Sequence, residues 1–272
     1  MNKPAPLWRL ILSRPLPGAE NMAIDEALLR SFDPVKSQPL LRLYSWNPPT
    51  LSLGRFQNAA DVLDLERTAA SDVPIVRRIT GGGVIYHTEE LTYSLVCAPE
   101  QIPPANSVKD SFRVLTGFLM EFYRRLGLPP GYAADSPLPT ERLGGRTPFC
   151  FAGRESFDIL INGCKIGGNA QRRTKGMIFQ HGSIPLNNRS ETGLMYMRDR
   201  RTAQIDAVTS LSDCGVRTSV DELAQLLQHS FRDHFGVTLQ TSELTEIESV
   251  EMKQLLTEKY RQEVWNMNGG EL

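Results

Sequence analysis

Apolar positions along the chain switch between two periods, and the switches divide it into elements. Alternation over residues 7–13 predicts a strand, whereas Met22, Ala23, Ala27 and Leu28 share one helical face over residues 18–31, closed by Asp33-Pro34. Two β runs, 40–46 and 50–56, are joined by Asn47-Pro48-Pro49, which has a turn's composition. A short helix is expected over 61–70, and strands over 75–79, 84–87 and 91–97, the last placing Cys97 in or near the core.

The second half repeats this alternation of periods. After a Pro-rich connector at 98–105, Phe112, Leu115, Leu119, Phe122 and Tyr123 recur at helical spacing within 107–126, a stripe that reads as core. Residues 129–148 are rich in Gly and Pro and are expected to form a loop. Three strands follow, 156–161, 165–171 and 177–185, with Asn162-Gly163 as a strong hairpin signal between the first two and residues 172–176 as the second turn, leaving Lys165 within a meander. Residues 187–213 are polar and irregular. Ser219 with Glu222 forms a capping box opening a helix to His234, which Gly236 terminates; a last helix is expected over 245–264 and a short tail over 265–272.

Composition narrows the class without naming a chemistry. A chain of 272 residues with 40% hydrophobic and 22% charged positions can bury one large core, and one domain is expected. A formal net charge of -1 offers no global attraction to nucleic acid or to an anionic membrane, so neither is an expected partner. Cys97, Cys150, Cys164 and Cys214 show neither C-x-x-C nor metal-finger spacing, and no metal site is expected. Free thiols, an N-terminal apolar run too short for a signal peptide and no transmembrane-length window point to the cytoplasm.

The candidate chemistry gathers around Arg77-Arg78-Ile79-Thr80-Gly81-Gly82-Gly83-Val84-Ile85-Tyr86-His87. Consecutive glycines between β runs supply no side chain to pack and mark a bend or a close backbone approach. Arg77 and Arg78 suit a carboxylate or phosphate, and the glycine N–H groups an oxyanion; a β-bulge with solvated arginines is the competing reading. Walker, dinucleotide, H-E-x-x-H and G-x-S-x-G signatures are absent from the sequence. His229 and His234 fall on the late helix as surface or packing residues, whereas His87 and His181 lie in strand and glycine surroundings. Cys150 stands at the exit of the Gly/Pro loop and Lys165 on the next hairpin. An ammonium near a thiol favours the reactive thiolate, but local sequence equally allows Cys150 to be an inert thiol between Phe149 and Phe151.

Three motifs together resemble the biotin/lipoate protein ligase catalytic superfamily: residues 77–87, then Asn162-Gly163-Cys164-Lys165-Ile166-Gly167-Gly168-Asn169-Ala170-Gln171-Arg172-Arg173, then Gln180-His181-Gly182-Ser183-Ile184. Family-like sequence runs from about residue 21 to about 211 and includes residues 47–58. Within the superfamily, Phe149-Cys150-Phe151 before the lysine hairpin resembles the LipM class of octanoyltransferases. Two departures are mild: Gly168-Asn169-Ala170 stands where relatives often have Gly-Ser-Ala, and Cys164 where they are frequently basic.

The resemblance implies an α/β (α+β) fold with a mixed central sheet flanked by helices, one catalytic domain, and C-terminal helices at about 219–264. It implies that Cys150 takes octanoate from acyl carrier protein as a thioester and that Lys165 lowers the pKa of Cys150 and holds the carbonyl. Gly81, Gly82 and Gly83 would line an acyl tunnel, with Arg78, His87 and His181 as further contacts and Gly168, Asn169 and Ala170 in the binding site. The acceptor would be a lysine of a lipoyl domain or of the glycine-cleavage H protein, and no cofactor would be needed. Three alternatives remain: a lipoate ligase using Mg-ATP, an amidotransferase taking octanoate from H protein, and a non-catalytic acyl-binding protein. Arg172, Arg173, Lys175 and the run Arg198 to Arg201 would steer acidic partner domains, or are solvated loop charges.

Overall fold

The apolar alternation near the N-terminus forms a strand, and its neighbours explain the pattern. In the computed structural model, which describes residues 4–105, 107–135, 155–200 and 208–270, a mixed sheet runs in the order β10 (Gly168–Thr174), β11 (Met177–Pro185), β6 (Glu90–Cys97), β2 (Leu40–Tyr44), β1 (Leu7–Leu12) and β13 (Thr238–Thr241). β1 is parallel to β2 and β13, while β2, β6, β11 and β10 pair antiparallel.

Helices cover both faces of this sheet, as the fold class implied. Leu41, Leu43, Tyr93, Leu95 and Cys97 join one core with Phe118 and Phe122 of α4 (Val108–Arg125) and Leu227 and Phe231 of α6 (Val220–Phe235). Ile11, Leu40 and Val96 pack on the opposite side with Ile24, Leu28 and Leu29 of α1 (Gly18–Arg30), and Met252 of α7 (Glu246–Leu255) packs against this cluster. β2 and β6 are therefore buried at every position, as expected for strands covered twice.

Local signals set the helix ends. Ser107 caps α4 by accepting the Asp110 N–H, the Ser219/Glu222 box opens α6, and Gly236 closes it with φ 62°. Gly117 lets α4 and α6 approach, because a Cβ there would meet the His234 ring, whose Nε2 lies 3.0 Å from the Val114 carbonyl. His234 is thus a surface residue whose ring packs on α4.

Two smaller sheets complete the framework. One has the order β4 (Ile75–Arg77), β3 (Thr50–Leu53), β5 (Ile85–His87); the other β12 (Val208–Thr209), β9 (Cys164–Ile166), β8 (Ile159–Ile161), β7 (Pro130–Tyr132). Asn162 and Gly163, at φ 50° and 83°, make the β8–β9 turn.

Several expected elements differ. The runs 40–46 and 50–56 are not paired with each other: β2 and β3 belong to different sheets. The run 165–171 is two strands, broken at Gly167, where φ is 75° and a Cβ would run into the Ser183 carbonyl. Lys165 consequently sits at a corner between sheets rather than inside one meander. The second turn is only Lys175-Gly176, since β10 continues to Thr174. The helix expected over 61–70 is two short ones, α2 (Ala59–Val62) and α3 (Leu65–Ala70), the second capped by Asp64. The region 187–213 contains α5 (Ser190–Leu194) and β12, and the loop expected from 129 begins with β7 and a 3-10 turn at Ala133–Asp135. The last helix stops at Leu255, passes through a wider turn at Leu256–Tyr260 and restarts as α8 (Glu263–Asn268), so Trp265, 2% exposed, is core and not tail. Among the described residues no helix is long and apolar enough to cross a membrane.

Candidate active site

A cavity of about 730 Å³ opens where the three sheets meet. Arg78, Gly81, Gly82, Gly83 and His87 reach it from the β4–β5 side, and Lys165, Gly168, Asn169, Ala170 and His181 from β9, β10 and β11. These ten candidates, scattered over a hundred positions of sequence, line one space. Cys150 lies outside the described residues, as do Arg154 and Arg201. Apolar wall comes from Trp46, Val62 and Ile85, and Phe56, 91% exposed, stands at the rim. The cavity's size and mixed lining suit a ligand with an apolar body and a polar end.

Lys165 marks a polar pole. It is 3% exposed, and its Nζ lies 2.7 Å from Oδ2 of Asp158, which lines the cavity beside it. Asp158 also accepts the Glu155 N–H at 2.7 Å.

The glycine run is held from behind by Arg78. Its Nη1 donates to the Ser52 carbonyl and hydroxyl, both at 2.7 Å, and its Nη2 to the carbonyls of Gly81 and Gly83 at 3.1 and 2.9 Å. Gly82 adopts φ 101°, and Gly54 must lack a side chain because its Cβ would strike the Gly82 carbonyl. Arg77 does not line the cavity. Its guanidinium donates to the carbonyls of Gly54, Gln57, Trp265 and Met267 at 2.9, 2.5, 2.7 and 2.8 Å, and to those of Arg55 and Asn266. Burial, with repulsion from Arg55 and Arg78, brings its pKa down to about 10. The expectation that Arg77 meets a ligand anion is therefore replaced by a structural role, because carbonyls already fill its donors.

Each histidine of the pair is set in a network. His87 Nδ1 lies 2.7 Å from Glu90 Oε1, its Nε2 lies 2.7 Å from Ser52 Oγ, and its ring stacks on Trp46 with centroids 3.9 Å apart. Ser52 accepts from Arg78 and carries a hydroxyl of its own, so one serine joins the guanidinium to the imidazole. Burial pushes the Glu90 carboxyl up, but His87, Thr92 and Ser183 outweigh it and hold the group below its ordinary range. His181 bonds Thr80 Oγ1 through Nε2 at 2.7 Å, and its Nδ1 is 3.8 Å from Asp25 Oδ2. Burial lowers the His181 pKa despite Asp25.

Asn169, the departure from the usual serine, has a local reason. Its Oδ1 accepts the Tyr93 hydroxyl at 2.7 Å, and Tyr93 in turn accepts from Gln180 Nε2 at 2.9 Å. Gly182 leaves the room, since a Cβ there would meet the Asn169 side chain and the Tyr93 ring.

Sequence reasoning missed Asp158, Glu90 and Trp46. Asp158 stands two positions before Leu160, which pairs with Lys165, so strand alternation placed both charges on one face. Glu90, three positions from His87, carried a comparable signal; Trp46 had none beyond its turn. Of the basic residues credited with steering, Arg172 donates to the Ile79 carbonyl, Arg173 to Ser111 and Gln171, Arg198 to the Ala60 carbonyl, and Arg200 lies 3.8 Å from Asp64. Among the described residues no three His, Cys, Asp or Glu side chains gather as metal ligands.

Comparison with known proteins gives a consistent set of matches. The family model for the lipoyl protein ligase A/B catalytic domain matches residues 17–235. An octanoyltransferase LipM from Exiguobacterium sp. is 36% identical over 272 residues, spanning 95% of this chain and 97% of that protein. Another LipM, from Kyrpidia tusciae, is 34% identical over 269 residues, spanning 95% and 98%. Among solved structures, a bi-partite lipoate protein ligase from Thermoplasma acidophilum, studied with its E2 lipoyl domain, is similar at TM-score 0.79 and 25% identity, with 98% of each chain covered.

Proposed function

Because the chain belongs to the lipoyl protein ligase A/B catalytic-domain family, we propose that it is an acyltransferase of lipoate biosynthesis, moving octanoate from octanoyl-acyl carrier protein to a lipoyl-domain protein. The acceptor is a lysine on a lipoyl domain of a 2-oxoacid dehydrogenase or on the glycine-cleavage H protein. Curated relatives with the octanoyltransferase name run nearly the length of this chain, which supports the activity. The observation that carries the site assignment is that Lys165, the glycine run and Glu155, five positions after Cys150 in sequence, all face one cavity.

In this reading the Cys150 thiolate attacks the donor thioester carbonyl. The carrier's thiolate leaves and takes up the proton that Cys150 gave up, so one thioester replaces another at nearly equal free energy. The acceptor lysine, as the free amine, then attacks the acyl-cysteine carbonyl. Cys150 leaves as thiolate, the surplus proton of the nitrogen passes to it or to water, and an amide remains. Amide formation from a thioester is downhill, so the cycle needs no ATP and no other cofactor. Lys165 supplies positive charge to the thiolate and to the oxyanion that develops on the carbonyl. The glycine run, with Gly168, Asn169 and Ala170, shapes the acyl wall. Arg78 and His87 act behind that wall through Ser52, and His181 beside it through Thr80.

Similarity to a lipoate protein ligase structure keeps an alternative in view, in which free lipoate is activated with Mg-ATP in the same cavity. Intact-mass measurement after mixing the protein with octanoyl carrier protein, without ATP, separates the two. An octanoyl increment mapped to Cys150, lost to hydroxylamine, absent in Cys150→Ser and passed to a lipoyl domain is expected. Transfer at near-normal rate by Cys150→Ser, or modification only with lipoate and Mg-ATP, would overturn the thioester reading. Using octanoyl-H protein as donor tests the amidotransferase variant.

A further inference from the structure

Asp158 joins parts of the site that the sequence separates. Its Oδ2 lies 2.7 Å from Lys165 Nζ and accepts the Glu155 N–H at 2.7 Å. Its main-chain carbonyl accepts the Ala133 N–H at 2.9 Å, and the Ser156 carbonyl accepts the Ala134 N–H at 3.0 Å. One aspartate thus holds the ammonium on the cavity wall while its own backbone helps tie residues 133–134 to 156–158, the described residues on either side of the stretch that contains Cys150.

The pair is out of water, with the Lys165 and Asp158 side chains 3% and 7% exposed. There a charge-assisted bond is short and directional, and it fixes where the ammonium points more firmly than a solvated pair would. A carboxylate already accepting an ammonium and an amide N–H is suited to hold a charge in place, not to take a proton from an incoming amine. Among the described residues, the charged or titratable groups sharing the cavity wall with Lys165 are Asp158, Glu155, Asp61, Tyr44, Arg78, His87 and His181, and Asp158 is within hydrogen-bond distance of Nζ.

We propose that Asp158 is a positioning residue for acyl transfer: it aims the Lys165 ammonium, pairs with its charge, and through Glu155 ties it to the chain that follows Cys150. The proposal rests on the reading in which Cys150 and Lys165 carry the reaction, and Asp158 acts through Lys165 rather than on the acyl group.

The test follows octanoyl-adduct formation on Cys150 from octanoyl carrier protein across pH, in wild type, Asp158→Asn and Asp158→Glu, with melting temperature measured on each. Wild type comes first: no Cys150 adduct there refutes the underlying reading before any variant is compared. With the adduct present, Asp158→Asn is expected to move the alkaline limb of the profile to lower pH, because the carboxylate that favours a charged ammonium is gone. Its rate above neutral pH should fall about tenfold or more, with little change in donor KM. Asp158→Glu should restore the limb while reacting more slowly, because the charge is kept but displaced by a methylene. A wild-type rate and limb in Asp158→Asn, or a loss equal at every pH that tracks a lowered melting temperature, would overturn the proposal. If Asp158→Asn does not fold, Asp158→Glu alone decides: a slowed rate with the limb in place supports it, and a wild-type rate overturns it.

Discussion

Arg77 Nε donates to the main-chain carbonyl of Trp265 across 2.7 Å, joining residues 188 positions apart. The Trp265 indole returns a bond to the Arg77 carbonyl at 3.3 Å. Since the same guanidinium also binds carbonyls of Gly54 and Gln57, α8 and the loop that carries the cavity rim share one buried cation. The C-terminal helix thereby helps set the mouth of the site without lining it.

Arg77→Lys should therefore be costly although it keeps the charge. A lysine has three donors and no planar fork, so at least three of the six carbonyls that Arg77 serves would lose their partner. Destabilisation of about 3 kcal/mol or more is expected, read as a lowered urea midpoint. A midpoint equal to wild type would show that water or backbone shifts satisfy those groups.

Acidification should unfold the protein in two stages. Burial lowers the folded pKa of His181, so protons bind the unfolded chain more readily between that value and its ordinary 6.5, and stability is lost as pH falls below about 6.5. Burial pushes the carboxyls of Asp25 and Glu90 up, but Arg42, His181 and Ser94 around Asp25, and His87, Thr92 and Ser183 around Glu90, bring the net values below normal. Their contribution is present above the unfolded carboxyl pKa values of about 4 and is lost as pH falls through the lower folded ones. Melting temperature against pH should thus begin to fall near pH 6.5 and steepen below 4, and His181→Gln should remove the first stage. A profile flat from pH 7 to 5 would contradict the His181 assignment.

What the sequence made legible was whatever had a local cause. The capping box at Ser219, the Asn162-Gly163 turn and the stripe of α4 are each decided within a few residues, and each formed as expected. Where a distant atom decides, the reading slipped. Gly167 breaks a strand because the Ser183 carbonyl approaches it, and α8 exists because Arg77 and Lys259 hold Trp265, the latter with Nζ 3.8 Å from the ring centroid. The site divides the same way: glycines and Lys165 were visible as motif residues, whereas Asp158 and Glu90 matter through what they bond, and their one mark in the sequence is spacing, to the residue that pairs with Lys165 and to His87.

Cys97 should be chemically silent in the native protein. Burial pushes its thiol up to about 12, eased only slightly by the Arg173 charge, so almost no thiolate exists at pH 8. Iodoacetamide at that pH should spare Cys97 until urea unfolds the chain, as followed by peptide mass mapping. Labelling of the native protein at the rate of a free thiol would mean that the β6 face opens far more readily than its packing indicates.

Gly81 and Gly54 make contrasting tests of the glycine wall. Nothing lies within 4 Å of a Cβ built on Gly81, which faces open space at the cavity, whereas one on Gly54 would collide with the Gly82 backbone. Gly81→Ala should then fold with stability within about 0.5 kcal/mol of wild type, yet transfer octanoate more slowly, because the methyl enters the cavity that the proposed function gives to the acyl chain. Gly54→Ala should lose stability and activity together, since the 81–83 run must move to admit the new carbon. Melting curves paired with transfer rates distinguish the cases. A fully active Gly81→Ala would remove Gly81 from the acyl wall, and an unperturbed Gly54→Ala would show that the approach of the two loops is not required for the site.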